Sequence, residues 1–284
     1  MTRNLVLAGL FTLIGSATAA AQAPEILWYD FDTASAQNMA TGSIGDGVVG
    51  PGLTFPTGVS CGDRACSPTA SSAFIDTGWP LTLGTSDWSV GMHLDVSSAP
   101  GGFMYFFGEP TSFAFRAVTG GNSIALRANN INDVDIFGAL AGPPSHVCWV
   151  YDSSVPEIRG YLNGVLNNTV AQTALNLNGI ANFRVMGQLS SMTPGTVMDD
   201  FRFYGRAIDL GGVGPGSEMD LWVNGCISTG SCPGSATTYG AGCPGSGGFV
   251  PSLSMSGCPE VGQQVTLELS GALAPSTALF FVGL

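Results

Sequence analysis

His146–Leu166 reads HVCWVYDSSVPEIRGYLNGVL, and its last nine residues decide the fold class. Asn163-Gly164 stands between Tyr161-Leu162 and Val165-Leu166. A type I′ turn needs positive φ at both central residues, which Asn and Gly reach at least cost, so the dipeptide marks a β-hairpin. Val147–Tyr151 and Ile158–Leu162, on its N-terminal side, read as the strands leading into it.

Working outward, the same texture recurs. In Asp87–Val96 (DWSVGMHLDV) Trp88, Val90, Met92, Leu94 and Val96 share one face, and Ser89, Gly91, His93 and Asp95 share the other. That pattern predicts a half-buried antiparallel strand. Phe103–Phe107 (FMYFF) reads as a strand covered on both sides, and Gly120-Gly121-Asn122 as a turn between Phe113–Val118 and Ser123–Arg127. Phe183–Met186 and Val197–Tyr204 complete the set. No helical periodicity is convincing, so about ten short strands predict an all-β fold of two packed antiparallel sheets.

The termini have a different character. Arg3, the apolar run Leu5–Ile14 and the small residues Ser16–Ala21 form a secretory signal. Cleavage after Ala21 fits; cleavage after Ala23 would leave Pro24 first. No later run reaches the roughly 18 apolar residues of a transmembrane helix, so the expectation is an exported chain with no membrane span after signal removal. Residues 225–248 crowd Gly, Ser, Cys, Pro and Thr into a linker, and strands resume at Ser252–Met255 and Val265–Leu269. The division expected is 1–21 signal, 22–224 sandwich, 225–248 linker and 249–284 a smaller, incomplete β-rich module, since Ala278–Leu284 reads as mid-strand.

Charge and cysteine content narrow the partners. Eight arginines and no lysine face 20 acids, a formal charge of −12. Such a chain repels nucleic acid and anionic membranes. Seven cysteines in an exported chain suggest disulfides. Spacing pairs Cys61 with Cys66, Cys226 with Cys232, and Cys243 with Cys258; Cys148, in an apolar strand, is left as a buried free thiol.

The order of the pieces resembles the laminin-G-like jelly-roll domains of the concanavalin-A-like lectin/glucanase superfamily, from about Glu25 to Trp222. An aromatic-acidic strand, Trp28–Asp32, opens the domain. Asp87–Val96 follows, then His146–Asp152 with the Gly160–Leu166 hairpin, and Met198–Ile208 (MDDFRFYGRAI) closes it. The resemblance implies a two-sheet antiparallel jelly-roll sandwich. Because that superfamily hosts lectins, glycosidases and adhesion modules, function has to come from sites.

Glycoside hydrolysis needs two carboxylates about 5–9.5 Å apart across the bond. The Glu-x-Asp-x-(x)-Glu strand of the resembling glucanases is absent; the nearest match is Asn132-Asp133-Val134-Asp135, with no glutamate. No G-x-S-x-G elbow appears either, so no catalytic residues are expected. The resemblance also implies a structural Ca2+ tying first strand to last at Asp199, with Asp30, Asp32 and Asp200 as neighbouring acids. Strict alternation would put Asp199 with Val197, Phe201 and Phe203 on the inward face, and Asp200 beside Arg202 on the other. Among the tryptophans, Trp88 and Trp149 read as core, while Trp79, in the turn Thr77-Gly78-Trp79-Pro80, reads as an exposed ligand candidate. His146 reads as a structural strand-edge residue, and Asn167-Asn168-Thr169 is a glycosylation sequon. The expectation is a secreted non-catalytic binding or adhesion module for a glycan or an extracellular protein. A structural envelope or matrix component is the first alternative, and a divergent glycosidase the second.

Overall fold

The computed structural model describes residues 22–224, apart from 60–63, 97–103, 112–114, 121–122, 129–132, 141–143, 173–174 and 216, together with the strands Ser252–Ser256 and Thr266–Ser270. The described chain is almost entirely β. A six-stranded antiparallel sheet runs in the order Leu27–Tyr29, Val197–Tyr204, Trp88–Asp95, Ser145–Asp152, Glu157–Leu162, Val165–Ala171. A seven-stranded sheet runs Val134–Phe137, Ser123–Arg127, Arg116–Gly120, Tyr105–Gly108, Arg184–Val185, Ile75–Asp76, Val48–Val49. Strands enter each sheet from distant parts of the chain, as in a jelly-roll sandwich. Ser252–Ser256 and Thr266–Ser270 pair separately as an antiparallel hairpin.

The Asn163-Gly164 turn forms as expected, with φ of 51° and 74°, and joins Leu162 to Val165 in register. Between the sheets, Trp88, Phe107, Phe115, Trp149, Phe183, Phe201 and Phe203 form one fully buried aromatic cluster. Edge-on rings at centroid distances of 5.0 Å (Trp88–Phe115) and 5.7 Å (Phe107–Phe201) let flat groups interlock in this layer. Beyond Val165–Ala171 the sandwich edge is closed by side chains instead of a further strand. Asn167 Oδ1 accepts the Phe137 amide at 2.8 Å, and its Nδ2 donates to the Phe137 carbonyl at 3.1 Å. Asn168 Nδ2 donates to the Asp135 carbonyl at 3.0 Å. The amide of the sequon asparagine is therefore occupied in mimicking a strand ladder.

Three features depart from simple alternation. The Trp88–Asp95 strand is buried on both faces from Trp88 to Leu94, not on one. What covers its second face is a helix that periodicity did not reveal, Glu218–Asn224. Ser217 caps it, its Oγ accepting the Asp220 amide at 3.1 Å. Met219 and Trp222, three apart on one face, seal Cys148, Val150, Tyr161 and Tyr204 into a second buried cluster. At seven residues the helix is too short to show a period, and tertiary packing alone holds it. Gly91 makes room for it: a Cβ there would lie 2.9 Å from the Trp222 ring and 2.2 Å from the Val147 carbonyl oxygen.

The third departure is a bulge in Val197–Tyr204. Asp199 pairs with His93 and Arg202 with Gly91, so one residue is extra, and Asp200 has φ 47°. The insertion resets parity. Met198, not Asp199, shares the core with Phe201 and Phe203. The inward position that strict alternation gives Asp199 is thus corrected.

Candidate functional site

Both ends of one loop are held by two of the four acids singled out in the sequence. Asp199 Oδ2 accepts the Val59 amide at 3.0 Å, and Asp32 Oδ1 accepts the Arg64 amide at 3.3 Å. Gly58 packs so closely on Asp199 that a Cβ would lie 2.8 Å from its carboxylate. Asp30 Oδ1 accepts the Asp32 amide at 3.2 Å. Asp200 points elsewhere. Its two oxygens take Arg202 Nε and Nη2 at 2.9 and 2.7 Å, and Oδ1 also accepts Trp28 Nε1. The pairing of Asp200 with Arg202 read from the sequence is present, and it removes Asp200 from any shared cation shell. Among the described residues no group of three or more His, Cys, Asp or Glu is arranged to hold a metal ion. The four acids as a set do not fit one Ca2+.

The tryptophan expectation needs correction. Trp79 is 6% exposed, with its ring 5.2 Å from Phe203 and 5.7 Å from Phe183. Gly78, at φ 69°, and the Thr77 Oγ1 acceptor of the Trp79 amide turn the loop so that the indole caps the end of the core. Trp28, Trp88, Trp149 and Trp222 are buried as well, so no tryptophan offers a stacking platform to solvent. Asp133 is ion-paired with Arg127 at 2.9 Å, and Asp135 accepts the Ser123 hydroxyl. Cys148 is a buried free thiol, as expected; Cys66 is also free and buried, and burial pushes its thiol up to about 12. The expected pairing of Cys66 with Cys61 is thereby corrected, while Cys61 itself, Cys226, Cys232, Cys243 and Cys258 lie outside the described residues.

His146 is not an edge residue. It is 1% exposed, its ring lies 4.8 Å from that of His93 and 4.6 Å from Trp222, and neither ring nitrogen has a hydrogen-bond partner. Burial, then the neighbouring His93 and Arg202, holds its pKa well below the usual histidine range. His93 Nε2 sits 3.1 Å from the Trp222 carbonyl oxygen. The pair is the underside of the helix, shut away from solvent.

The two broad outer faces are therefore unlike. The helix covers the face of the six-stranded sheet. The seven-stranded sheet carries a row in register across adjacent strands, Asp76, Arg184, Gly108, Arg116 and Arg127, in which all but Gly108 are charged. Asp133 closes the row through its ion pair with Arg127. Tyr105, half-buried, stands opposite Val118 in the neighbouring row. Alternation alone puts Arg116 and Arg127 on this face, because Ala117 and Leu126 beside them point into the core. The row was invisible from the sequence, where these arginines lie scattered over 68 positions from Arg116 to Arg184.

No protein-family model matches the chain. No curated protein sequence matches it either. Solved structures share the fold. Domain 4 of AbnA, an extracellular GH43 arabinanase of Geobacillus stearothermophilus, was solved with arabinotriose. It is similar at TM-score 0.53 and 16% identity, over 72% of this chain and 99% of the domain. The binding domain of botulinum neurotoxin serotype D is similar at TM-score 0.56 and 10% identity, over 72% of this chain and 52% of that one. The serotype D ligand-binding domain in complex with N-acetylneuraminic acid gives 0.52 and 10%, over 75% and 53%. The chain thus spans about half the length of the toxin structures it matches. The class of the described domain is an antiparallel β-sandwich of the architecture these domains share.

Proposed function

We propose that the chain is a secreted, non-catalytic carbohydrate-binding module of the laminin-G-like type, with its ligand surface on the outer face of the seven-stranded sheet. The asymmetry of the two faces carries this reading. One is sealed by Met219 and Trp222; the other carries arginine, aspartate and tyrosine side chains in adjacent rows. Planar hydrogen-bonding groups on a rigid sheet are what orient a saccharide's hydroxyls. The similar fold of domains solved with arabinotriose and N-acetylneuraminic acid supports a glycan as the ligand. The signal-like N-terminus and the acidic charge support export and argue against nucleic acid.

Retention of the full chain on immobilised polysaccharides, neutral and acidic, tests the reading. Binding that Tyr105→Ala and Arg116→Gln both weaken, with the fold intact by circular dichroism, supports it; no retention on any polymer overturns it.

A further inference from the structure

We propose that this face selects saccharides carrying isolated carboxylates, with Arg116, Arg127 and Arg184 as the guanidinium row that receives them. The inference rests on the glycan reading above and names the chemistry of its ligand.

The row concentrates positive charge. Arg127 stands directly opposite Arg116 in the antiparallel ladder, where like charges repel, and the ion pair of Arg127 with Asp133 offsets part of that repulsion. Partial burial is the main cause that lowers the Arg116 pKa; Tyr105 and Asp133 oppose the shift, and the neighbouring Arg127 adds to it. Arg184 lies one strand beyond Gly108, about 10 Å from Arg116 at the usual strand spacing. Gly108 keeps the row tight: a Cβ there would lie 2.7 Å from Arg116 Cβ and 2.9 Å from Gln188 Cγ. Three arginines away from this face are ion-paired with acids: Arg159 with Asp152, Glu157 and Asp209, Arg202 with Asp200, and Arg206 with Glu25 and Glu218. Arg184 instead lies over the Phe74 ring at 3.8 Å and donates to the Gln188 carbonyl, with no carboxylate in ion-pair range among the described residues.

Three considerations select the ligand. All the cations of this chain are arginines, whose planar fork matches a carboxylate's two oxygens as an ammonium does not. Asp76 and Asp133 fence both ends of the row, so the positive footprint covers only the strands between them. And a chain of net charge −12 repels a dense polyanion, whose charges would extend well past that fence. A sugar acid within an otherwise neutral or sparsely charged polymer fits; a sulfated or phosphate-dense polymer does not.

The experiment compares the full chain on a glucuronoxylan that carries sparse glucuronate side groups, on the same polymer after carboxyl reduction, and on dextran sulfate. The expected result is retention on the glucuronoxylan at least tenfold stronger than on the reduced polymer, and not exceeded on dextran sulfate. Arg116→Gln with Arg127→Gln should lower it at least tenfold. Arg116→Lys keeps the charge, preserves the fold as circular dichroism reads it, and should still lose severalfold because the fork is gone. Equal retention on the reduced and unreduced polymers overturns the carboxylate inference while leaving the glycan reading standing. Retention that follows charge density onto dextran sulfate overturns it in favour of general anion exchange. No retention on any polymer overturns both.

Discussion

Asp200 grips the guanidinium of Arg202 with both carboxylate oxygens, at 2.9 and 2.7 Å, two residues along the same strand and almost wholly buried. Rings of Trp28 and Trp222 flank the guanidinium at 4.8 and 5.5 Å. The pair thereby joins the first strand, the closing strand and the helix into one polar knot inside an apolar setting.

Breaking that knot from one side strands a buried charge. Arg202→Met leaves the Asp200 carboxylate without its counter-ion and should cost about 3–5 kcal/mol, read as a fall in the urea midpoint. Arg202→Met with Asp200→Asn should cost less than Arg202→Met alone, because no naked charge remains. A double variant as unstable as the sum of the two would refute the coupling.

Acid should loosen the molecule through His146. The unfolded imidazole titrates near 6.5, whereas the folded one lies well below, chiefly through burial. The unfolded state therefore binds its proton first. The contribution is fully present above pH 6.5 and is lost as pH falls from there toward the folded value. Tm should drop between pH 7 and 5 in wild type, and His146→Phe should flatten that slope. An unchanged slope in the variant would assign the acid sensitivity to other groups.

Removing the helix's anchor should expose the second face of the six-stranded sheet. Trp222→Ala is expected to cost about 3–5 kcal/mol by cavity formation. Cys148, buried under the helix with its thiol pKa raised by burial and by the nearby Asp209 and Glu218, should resist a thiol reagent in native wild type. In Trp222→Ala its labelling rate should rise. Equal rates would mean that the helix does not guard it.

At the sandwich edge, Asn167→Ala deletes both hydrogen bonds to the Phe137 backbone. Water can replace them there, so the cost should be only about 0.5–1.5 kcal/mol. Hydrogen exchange at the Phe137 amide should accelerate; unaltered protection would show that the edge is held by other contacts.

The Asp199 carboxylate and the Val59 amide test the loop anchor. Asp199→Asn should lower Tm by a few degrees, for the loss of a charge-assisted hydrogen bond. EDTA should leave the Tm of wild type and variant alike unmoved; a fall in the wild type alone would place a stabilising ion at Asp199.

Much of this architecture is written locally. The Asn163-Gly164 turn, the apolar face Trp88-Val90-Met92-Leu94 and the core roles of Trp88 and Trp149 follow from backbone sterics and a two-residue period. So does the adjacency of Asp200 and Arg202, which are two apart on one strand. These features need only neighbours in sequence, and the amino-acid order alone determined them, together with the all-β class.

Tertiary structure decided the rest, because the deciding contacts join residues far apart in the chain. Trp79 turned inward because Phe183 and Phe203 offered it a ring surface. The helix exists because Cys148, Val150 and Tyr204 give Met219 and Trp222 somewhere to pack, an energy no seven-residue segment carries alone. A single bulge moved Asp199 off the core face, and alternation cannot foresee where an extra residue falls. The arginine row is set by strand register: Arg116, Arg127 and Arg184 become neighbours only when four strands align, and pairing order is a property of the folded sheet.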